Sequence, residues 1–254
     1  MSFNVAAESY DRFMGRYSRL LSPQLADFAG VTAGQRVLDV GCGPGVLTAE
    51  LVGRVGAERV TAIDPSEPFV AATRERHPGV EVHQARAESL PFPDAAFDAS
   101  IAQLVVHFMT DPVVGLTEMG RVTRPGGIAA ACVWDHGGEQ GPLGLFWRAA
   151  RELDRGVEDE TNLPGAREGH LTELFRAAGF SGVEGSVLEA TLVHPSFEAW
   201  WEPFTEGVGP AGAYVARLDE DAKVRLRERC RELIGREPFT LPARAWAARG
   251  IARG

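Results

Sequence analysis

The sequence predicts an α/β protein whose central sheet is mostly parallel and doubly wound, with helices on both faces. The first observation is the alternation of apolar, strand-sized runs with helical patterns through the first half of the 254-residue chain. Such alternation is typical of parallel strands that are joined by crossover helices. The second observation is a glycine-rich turn directly after the first predicted strand, at the edge where doubly wound sheets bind ligands.

The predicted elements follow one another closely up to residue 134. Strands are expected at residues 36–40, 59–64, 80–84, 97–106 and 128–134. Helices are expected between them, at residues 46–55, 68–76 and 112–122. Because the carboxyl ends of parallel strands share one edge, a ligand should lie there, where the strand order reverses.

The second half of the chain is predicted to add accessory elements, and substrate choice should reside there. A glycine-rich connection at residues 137–144 is typical of loops over binding sites, and a polar link follows at 155–169. Helices are expected at 145–153 and 170–178, and a strand at 183–193. Five aromatic residues could line an apolar pocket, but a core seam against the sheet is the favoured interpretation. These residues are Phe146, Trp147, Trp200, Trp201 and Phe204.

Composition and charge exclude several classes of protein. The apolar runs are far too short to span a bilayer, and the first residues lack the basic and apolar regions of a signal peptide. A formal net charge of −9 argues against a broad nucleic-acid interface. Cys42, Cys132 and Cys230 are widely separated, which indicates reduced, buried thiols rather than disulfides or a metal site. The expectation is a cytoplasmic enzyme, monomeric or homodimeric, that associates with neither membrane nor nucleic acid.

The motif L-D-V-G-C-G-P-G carries the strongest functional signal. Gly41, Gly43 and Gly45 allow the backbone to turn sharply or to approach a ligand without a Cβ between them. A dinucleotide fingerprint would need its third glycine at position 46, which is Val46. Asp39 precedes the glycines, and its carboxylate would repel a pyrophosphate but suits a ligand with an ammonium and a sulfonium. This is the charge pattern of S-adenosylmethionine (SAM).

The motif resembles the first motif of the class I SAM-dependent methyltransferases, in particular the small-molecule, UbiE-like methyltransferase-domain proteins. The stretches A-E-S-L-P-F-P-D-A-A-F-D, F-D-A-S-I-A-Q-L-V-V-H-F and E-M-G-R-V-T-R-P-G-G extend the resemblance to about residue 134. It implies a Rossmann-like, seven-stranded sheet with an antiparallel last strand, an N-terminal cap and accessory helices. The implied segments are a cap at 1–35, a SAM-binding core at 36–136, accessory and substrate helices with one core helix and strand at 137–238, and a closing edge strand at 239–254.

The resemblance also implies which residues contact SAM or its product, S-adenosylhomocysteine (SAH). Asp64, about twenty residues beyond the glycine loop, should accept hydrogen bonds from the ribose diol, although it could instead cap the helix that begins near Ser66. Residues of the cap segment and of the loop after the fourth strand should face the pocket. The implied cofactor-binding residues are Tyr10, Met14, Arg19, Asp39, Gly41, Cys42, Gly43, Gly45, Asp64, Pro65, Arg86, Ala87, Glu88 and Gln103.

The third strand departs from the family pattern at Arg86. Family members usually carry an Asp there, whose carboxylate accepts a hydrogen bond from the adenine amino group. A guanidinium offers no acceptor, so adenine should be held by the Ala87 backbone and by stacking, with Glu88 as a possible acceptor. Arg86 itself either faces the adenine or is a surface cation paired with a nearby acid.

Methyl transfer from a sulfonium is an in-line displacement, for which alignment and exclusion of water supply most of the acceleration. A base is needed only if the acceptor must lose a proton. His107, after the fourth strand, is the first candidate, and His136, beside Asp135 after the fifth strand, is the second. Either could instead be a structural histidine. The remaining histidines show no ligand spacing, and no metal site is predicted.

The expected function is therefore transfer of a methyl group from SAM to a small-molecule acceptor. One alternative is a Rossmann-type oxidoreductase, which Asp39 and Val46 disfavour. Another is a catalytically inactive, methyltransferase-like protein that binds SAM or acts as a regulatory subunit, for which Arg86 is the sequence hint. The identity of the acceptor is not encoded in the fold or the cofactor motifs.

Overall fold

The structure is a computed structural model that describes residues 7–253, so residues 1–6 of the cap segment and residue 254 lie outside the description. The strands are β1 (Val37–Val40), β2 (Val60–Asp64), β3 (Glu81–Gln84), β4 (Phe97–Gln103), β5 (Thr123–Trp134), β6 (Ser181–His194) and β7 (Phe239–Ile251). The α-helices are α1 (Ala7–Tyr10), α2 (Arg16–Ala29), α3 (Val46–Val55), α4 (Glu67–Arg76), α5 (Pro112–Val122), α6 (Gly144–Leu153), α7 (His170–Ala177), α8 (Phe197–Trp201), α9 (Gly209–Arg217) and α10 (Glu220–Ile234). Shorter helical turns of 3-10 or π type lie at Asp11–Gly15, Ala57–Arg59, Val106–Phe108 and Glu202–Glu206.

The strands form one sheet in the order β3-β2-β1-β4-β5-β7-β6. Strands β1 to β5 are parallel, and β7 is antiparallel to both of its neighbours. The chain winds outward from β1 to β3 and then returns to continue at β4, so the strand order reverses between β1 and β4. The predicted doubly wound, mostly parallel α/β sheet with an antiparallel last strand is confirmed.

The closing strand β7 does not lie at the edge of the sheet, which corrects the prediction for residues 239–254. It pairs with β5 on one side and with β6 on the other, so β6 is the edge strand. The physical reason is burial. Alanines 243, 245, 247 and 248 of β7 are at most 2% exposed, whereas β6 exposes residues along most of its length. A strand with small, buried side chains on both faces fits the interior of a sheet.

The core lies on both faces of the sheet because neighbouring residues of each strand point to opposite sides. Val37 of β1 packs in one apolar cluster with residues of α2 and α3, and Leu38 packs in the other with residues of α5 and α7. Helix α5 begins where the sequence indicates, since the Asp111 side chain accepts hydrogen bonds from the Val113 and Val114 backbone N–H groups. Strand β4 is shorter than predicted: it ends at Gln103, and Leu104 turns the chain with a φ of +60°.

The accessory helices pack their aromatic residues into the core, as the favoured interpretation expects. Phe146 stacks on Phe204 with ring centroids 4.5 Å apart, and each of the five predicted aromatics is at most 6% exposed. The cap is fastened to the edge strand by the Tyr17 hydroxyl, 3.0 Å from His194 Nε2. The three cysteines are buried and unpaired, as predicted. Within residues 7–253, none of the helices combines the length and the apolar character that crossing a membrane requires.

Candidate functional site

A cavity of about 370 Å³ lies at the carboxyl ends of β1, β2 and β4, next to the reversal in strand order. This is where a doubly wound sheet is expected to bind a ligand. Most of the predicted cofactor-binding residues come together here. Those that line the cavity are Tyr10, Gly41, Gly43, Asp64, Pro65, Arg86, Ala87, Glu88 and Gln103.

The three glycines of the loop have different structural roles. All have positive φ angles, of +73°, +53° and +91° at Gly41, Gly43 and Gly45. A Cβ on Gly41 would lie 2.2 Å from Val105 Cγ2, and one on Gly45, which begins α3, would lie 2.7 Å from His77 Nε2. A Cβ on Gly43 would instead have no atom within 4 Å. Gly43 therefore leaves open space beside the cavity, whereas the other two glycines permit close packing of the chain.

Asp64 lies at the end of β2 and connects the glycine loop to α4. Its Oδ2 accepts a hydrogen bond from the Gly43 N–H at 2.9 Å, and its Oδ1 accepts one from the Ser66 N–H at 2.8 Å. Asp64 thus contacts the backbone just before α4 and also lines the cavity, so both of its predicted positions agree with the structure. Each carboxylate oxygen has a second lone pair, so both can accept a further bond from a ligand. Burial raises the pKa of Asp64 to about 6.

Asp39 lies on β1 below the loop and does not itself line the cavity. It is 1% exposed, its Oδ2 accepts the Thr48 hydroxyl at 2.6 Å, and its Oδ1 is buried without a hydrogen-bond partner. Burial raises the pKa of Asp39 to about 7, and the nearby Asp64 contributes to this rise. Burying a carboxylate oxygen without a hydrogen-bond donor costs free energy. The charged form of Asp39 would therefore be stabilised by a cation or a donor that the described residues do not provide.

Arg86 lines the cavity as a cation that lies close to an acid. Its Nη2 donates to Thr110 Oγ1 at 2.6 Å, and its Nε lies 3.5 Å from Glu88 Oε2. Glu88 Oε1 accepts the Thr110 N–H at 2.6 Å. Arg86 lines the cavity, yet 58% of its side chain is exposed. Arg86 thus faces the cavity and also lies near an acid, so each of its two interpretations agrees in part with the structure. Glu88 supplies carboxylate oxygens as acceptors close to position 86, where the family usually carries Asp.

Gln103 and Tyr10 also line the cavity. Gln103 Nε2 donates to the Ser18 carbonyl at 3.2 Å, and its Oε1 is buried without a partner. The Tyr10 ring packs edge-on against Phe69 with centroids 5.5 Å apart. Residues of the cap and of the sheet edge thus meet over the cavity.

Besides Asp39, three predicted cofactor-binding residues line neither described cavity. Arg19 is exposed and lines neither described cavity, because the buried stripe of α2 passes through Leu21 and Leu25 instead. The Cys42 thiol lies 3.8 Å from Thr73 Oγ1 in the core, away from the cavity. Gly45 is held at the start of α3 and is likewise not a lining residue.

A second, smaller cavity of about 40 Å³ adjoins the first, and the two share Tyr10, Leu104 and Phe108 as lining residues. Met14 lies here rather than at the larger cavity. The remaining apolar lining comes from the cap, the end of β5 and the accessory segment. Two imidazoles and one carboxyl group also line it, those of His107, His136 and Glu160.

These three side chains come from distant parts of the chain. His107 lies on the helical turn after β4, His136 follows β5, and Glu160 lies between α6 and α7. His136 Nε2 is 3.9 Å from Glu160 Oε1, and the two imidazole centroids are 5.9 Å apart. Glu160 Oε2 accepts the Trp147 indole N–H at 2.8 Å. Glu160 was not predicted as a site residue, and no spacing or motif in the polar link indicates it.

Burial sets the protonation of this cluster. It lowers the pKa of His136 to about 4 and the pKa of His107 well below its ordinary value, and it raises the pKa of Glu160 to about 7. Both imidazoles are thus neutral near pH 7, and each is a weak base. Asp135 does not orient His136, since its carboxylate accepts from Arg244 Nε at 2.8 Å and from the Gly138 N–H at 2.7 Å.

The comparisons with known proteins agree with this geometry. A family model described as a methyltransferase domain matches residues 38–131. A malonyl-[acyl-carrier protein] O-methyltransferase of Erwinia billingiae is 38% identical over 126 residues, 50% of this chain and 49% of the relative. The match therefore spans about half the length of that curated relative.

Two further proteins are similar over more of their length. An uncharacterized methyltransferase of Mycobacterium sp. (strain JLS) is 31% identical over 185 residues, 69% of this chain and 71% of the relative. The crystal structure of a SAM-dependent methyltransferase from Aquifex aeolicus matches with a TM-score of 0.53 and 26% identity, covering 69% of this chain and 87% of that one. With the glycine loop, the sheet order and these matches together, the chain belongs to the methyltransferase-domain family, within the class I SAM-dependent methyltransferases.

Proposed function

We propose that this protein transfers a methyl group from SAM to a small, largely apolar acceptor. The observation that carries the proposal is the open space at Gly43, where a Cβ would meet no atom within 4 Å, beside the buried carboxylate of Asp64. A cavity of about 370 Å³ has the size of small-molecule sites. The residues present therefore suit SAM, and the smaller adjoining cavity suits the reacting end of the acceptor.

The polar groups around the larger cavity fit the parts of SAM. The free lone pairs of Asp64 suit the ribose diol, and Glu88 offers an acceptor for the adenine amino group. The unpartnered Gln103 Oε1 is an acceptor at the wall of this cavity, where the amino-acid portion of SAM would lie. When bound, the cofactor supplies an electrophilic methyl group on a sulfonium whose departure leaves a neutral thioether.

The protein's own contribution is alignment and exclusion of water. Tyr10, Phe108 and Leu104 line both cavities, so they border the path between donor and acceptor. Phe13 and Met14 of the cap are at most 9% exposed and make the smaller cavity largely apolar. Such a surface favours a compact, apolar acceptor and keeps water from the in-line path. The name of the Erwinia relative, an O-methyltransferase, favours oxygen as the accepting atom.

Two calorimetric titrations of the protein, one with SAH and one with NADH, test the cofactor assignment. SAH should bind to the wild type and NADH should not. Gly43→Val should abolish SAH binding because its side chain would fill cofactor space. The matched control is Gly34→Val, since Gly34 is exposed, also has a positive φ, of +93°, and also has no atom within 4 Å of its Cβ position. Undiminished SAH affinity in Gly43→Val would overturn the assignment.

A turnover assay distinguishes an active methyltransferase from an inactive SAM-binding or regulatory protein. The second candidate is considered because Arg86 departs from the family pattern. The conversion of SAM to SAH is measured with a panel of small phenols, carboxylic acids and quinols. Turnover with one of them supports the proposal. Tight SAH binding without turnover in host extract supports the second candidate, and methylation of RNA or of a protein would refute the small-molecule acceptor.

A further inference from the structure

We propose that His107, His136 and Glu160 form a binding site for a divalent transition-metal ion, with Zn²⁺ as the best fit, in the smaller cavity. Each of the three residues offers one ligand atom, and these atoms all lie within 4.8 Å of one another. Two imidazoles and one carboxylate are a ligand set that binds Zn²⁺ in hydrolytic enzymes and Fe²⁺ in oxygenases. The cluster was not predicted from the sequence, and none of its three residues lines the larger cavity.

The second observation is that the polar atoms of the cluster are buried and lack partners. His107, His136 and Glu160 are 4%, 5% and 3% exposed. His107 Nδ1 and His136 Nε2 are buried with no hydrogen-bond partner among the described residues. Buried polar atoms are normally paired, so two unpaired imidazole nitrogens beside a carboxylate indicate a ligand that the protein chain does not provide.

The carboxylate is held in the orientation that a metal ligand requires. Glu160 Oε2 accepts the Trp147 N–H, and Oε1 is left facing His136 Nε2 at 3.9 Å. A hydrogen bond that orients a ligating carboxylate is a typical supporting contact of metal sites. Trp147 is itself fixed, since it is 3% exposed and packs against Phe146.

The spacing is compatible with a tetrahedral ion after a small contraction. Ligand atoms at about 2.0–2.2 Å from Zn²⁺ lie about 3.4 Å from one another. The described atoms, which lie within 4.8 Å of one another, must therefore approach by up to about 1.4 Å. Three protein ligands leave the fourth position open, as in catalytic zinc sites, and the cavity that holds the cluster is also lined by Phe13 and Met14.

The consequence for chemistry rests on the proposed function. An acceptor hydroxyl that binds the ion would lose its proton to water more readily, because a divalent cation stabilises the oxyanion. The oxygen would then form its bond to the methyl carbon while the bond from that carbon to sulfur breaks and its electron pair stays on sulfur. The ion would then take the place of a general base. It also restricts the acceptor to compounds with a metal-binding oxygen.

The test is zinc binding by the full-length protein, which needs no turnover. Protein treated with a chelator is titrated with Zn²⁺ against a chromophoric competitor, and about one equivalent should bind. Glu160→Gln keeps an oxygen for the Trp147 N–H but removes the charge, and it should weaken zinc affinity by at least about 10-fold. His136→Gln should do the same. The matched control is His83→Gln, because His83 forms a histidine–glutamate pair with Glu81 at 2.8 Å outside both cavities.

Two further measurements locate the bound ion. Co²⁺ in the site should show visible absorption without thiolate charge transfer, which rules out binding by the cysteines. Anomalous scattering from zinc-soaked crystals should place the ion between the three side chains, and this readout holds even if a variant fails to fold. Absence of stoichiometric zinc, or zinc located elsewhere, overturns the inference. SAH calorimetry on the chelated protein tests the proposed function independently, so the two failures are distinguishable.

Discussion

Asp39→Asn is expected to flatten the pH dependence of the unliganded protein's stability. Burial raises the pKa of Asp39 from its ordinary value of 3.8 to about 7, so the folded protein holds a proton that the unfolded chain releases. Its Oδ1 has no partner, which leaves the charged form poorly solvated. An amide at this position keeps an oxygen for the Thr48 hydroxyl and carries no charge.

The sign of the effect follows from proton binding in the two states. Because the pKa is raised on folding, the folded state binds more protons than the unfolded state between pH 3.8 and about 7. The free energy of unfolding therefore falls as the pH rises through this window, by at most about 1.4 kcal/mol per pH unit for one group. Between about pH 5 and about pH 7, the wild type should lose up to about 3 kcal/mol relative to Asp39→Asn.

Urea denaturation at about pH 5, 6, 7 and 8 measures this difference. The control is Asp98→Asn, at the start of β4. Hydrogen bonds from the Arg36 backbone N–H and from Arg124 lower the pKa of Asp98, so it stays ionised in both states over the tested range. Its stability change should be the same at every pH. Parallel curves for the wild type and Asp39→Asn would show that the buried carboxylate does not hold a proton, and would refute the reasoning.

Three further outcomes are expected. Asp64→Ala should weaken SAH binding by about 1–3 kcal/mol in calorimetry, the cost of lost hydrogen bonds to a carboxylate, and unchanged affinity would place the ribose elsewhere. Arg86→Asp should leave SAH affinity equal or better, since Arg86 is largely exposed and bonded to Thr110, whereas a loss above about 10-fold would show that Arg86 holds the cofactor. His107→Ala should lower turnover by about 100-fold or more with an acceptor that must be deprotonated, and equal rates for all acceptors would exclude a role in proton removal.

Local patterns in the sequence predicted much of the fold. The helices expected at residues 46–55 and 112–122 match α3 and α5 at both ends, because glycine, proline and Asp111 mark their boundaries. The strand expected at residues 97–106 was too long. Its apolar run continues into a helical turn, and hydrophobicity alone does not distinguish the two. The division of residues 137–238 into an accessory segment, and the oligomeric state, stay predictions.

The sequence brings many of the predicted cofactor-binding residues to one cavity for a physical reason. The glycine loop and Asp64 lie at the ends of neighbouring parallel strands, β1 and β2, and such ends meet by construction of the fold. Arg19 does not line the cavity, since which face of α2 packs inward depends on the partner surface and not on the motif. Cys42 does not line it either, because the turn at the flanking glycines directs its thiol into the core.

By itself, the sequence determined the alternation of strands and helices, the glycine loop and the carboxylate of Asp64 at the end of the next strand, because each of these depends on residues close together along the chain. Only the tertiary structure decided that β7 lies inside the sheet and that Glu160 joins His107 and His136. Both depend on how distant segments pack, which is set by burial and shape complementarity across the whole core. Such contacts cannot be predicted from the periodicity or spacing of residues along the chain.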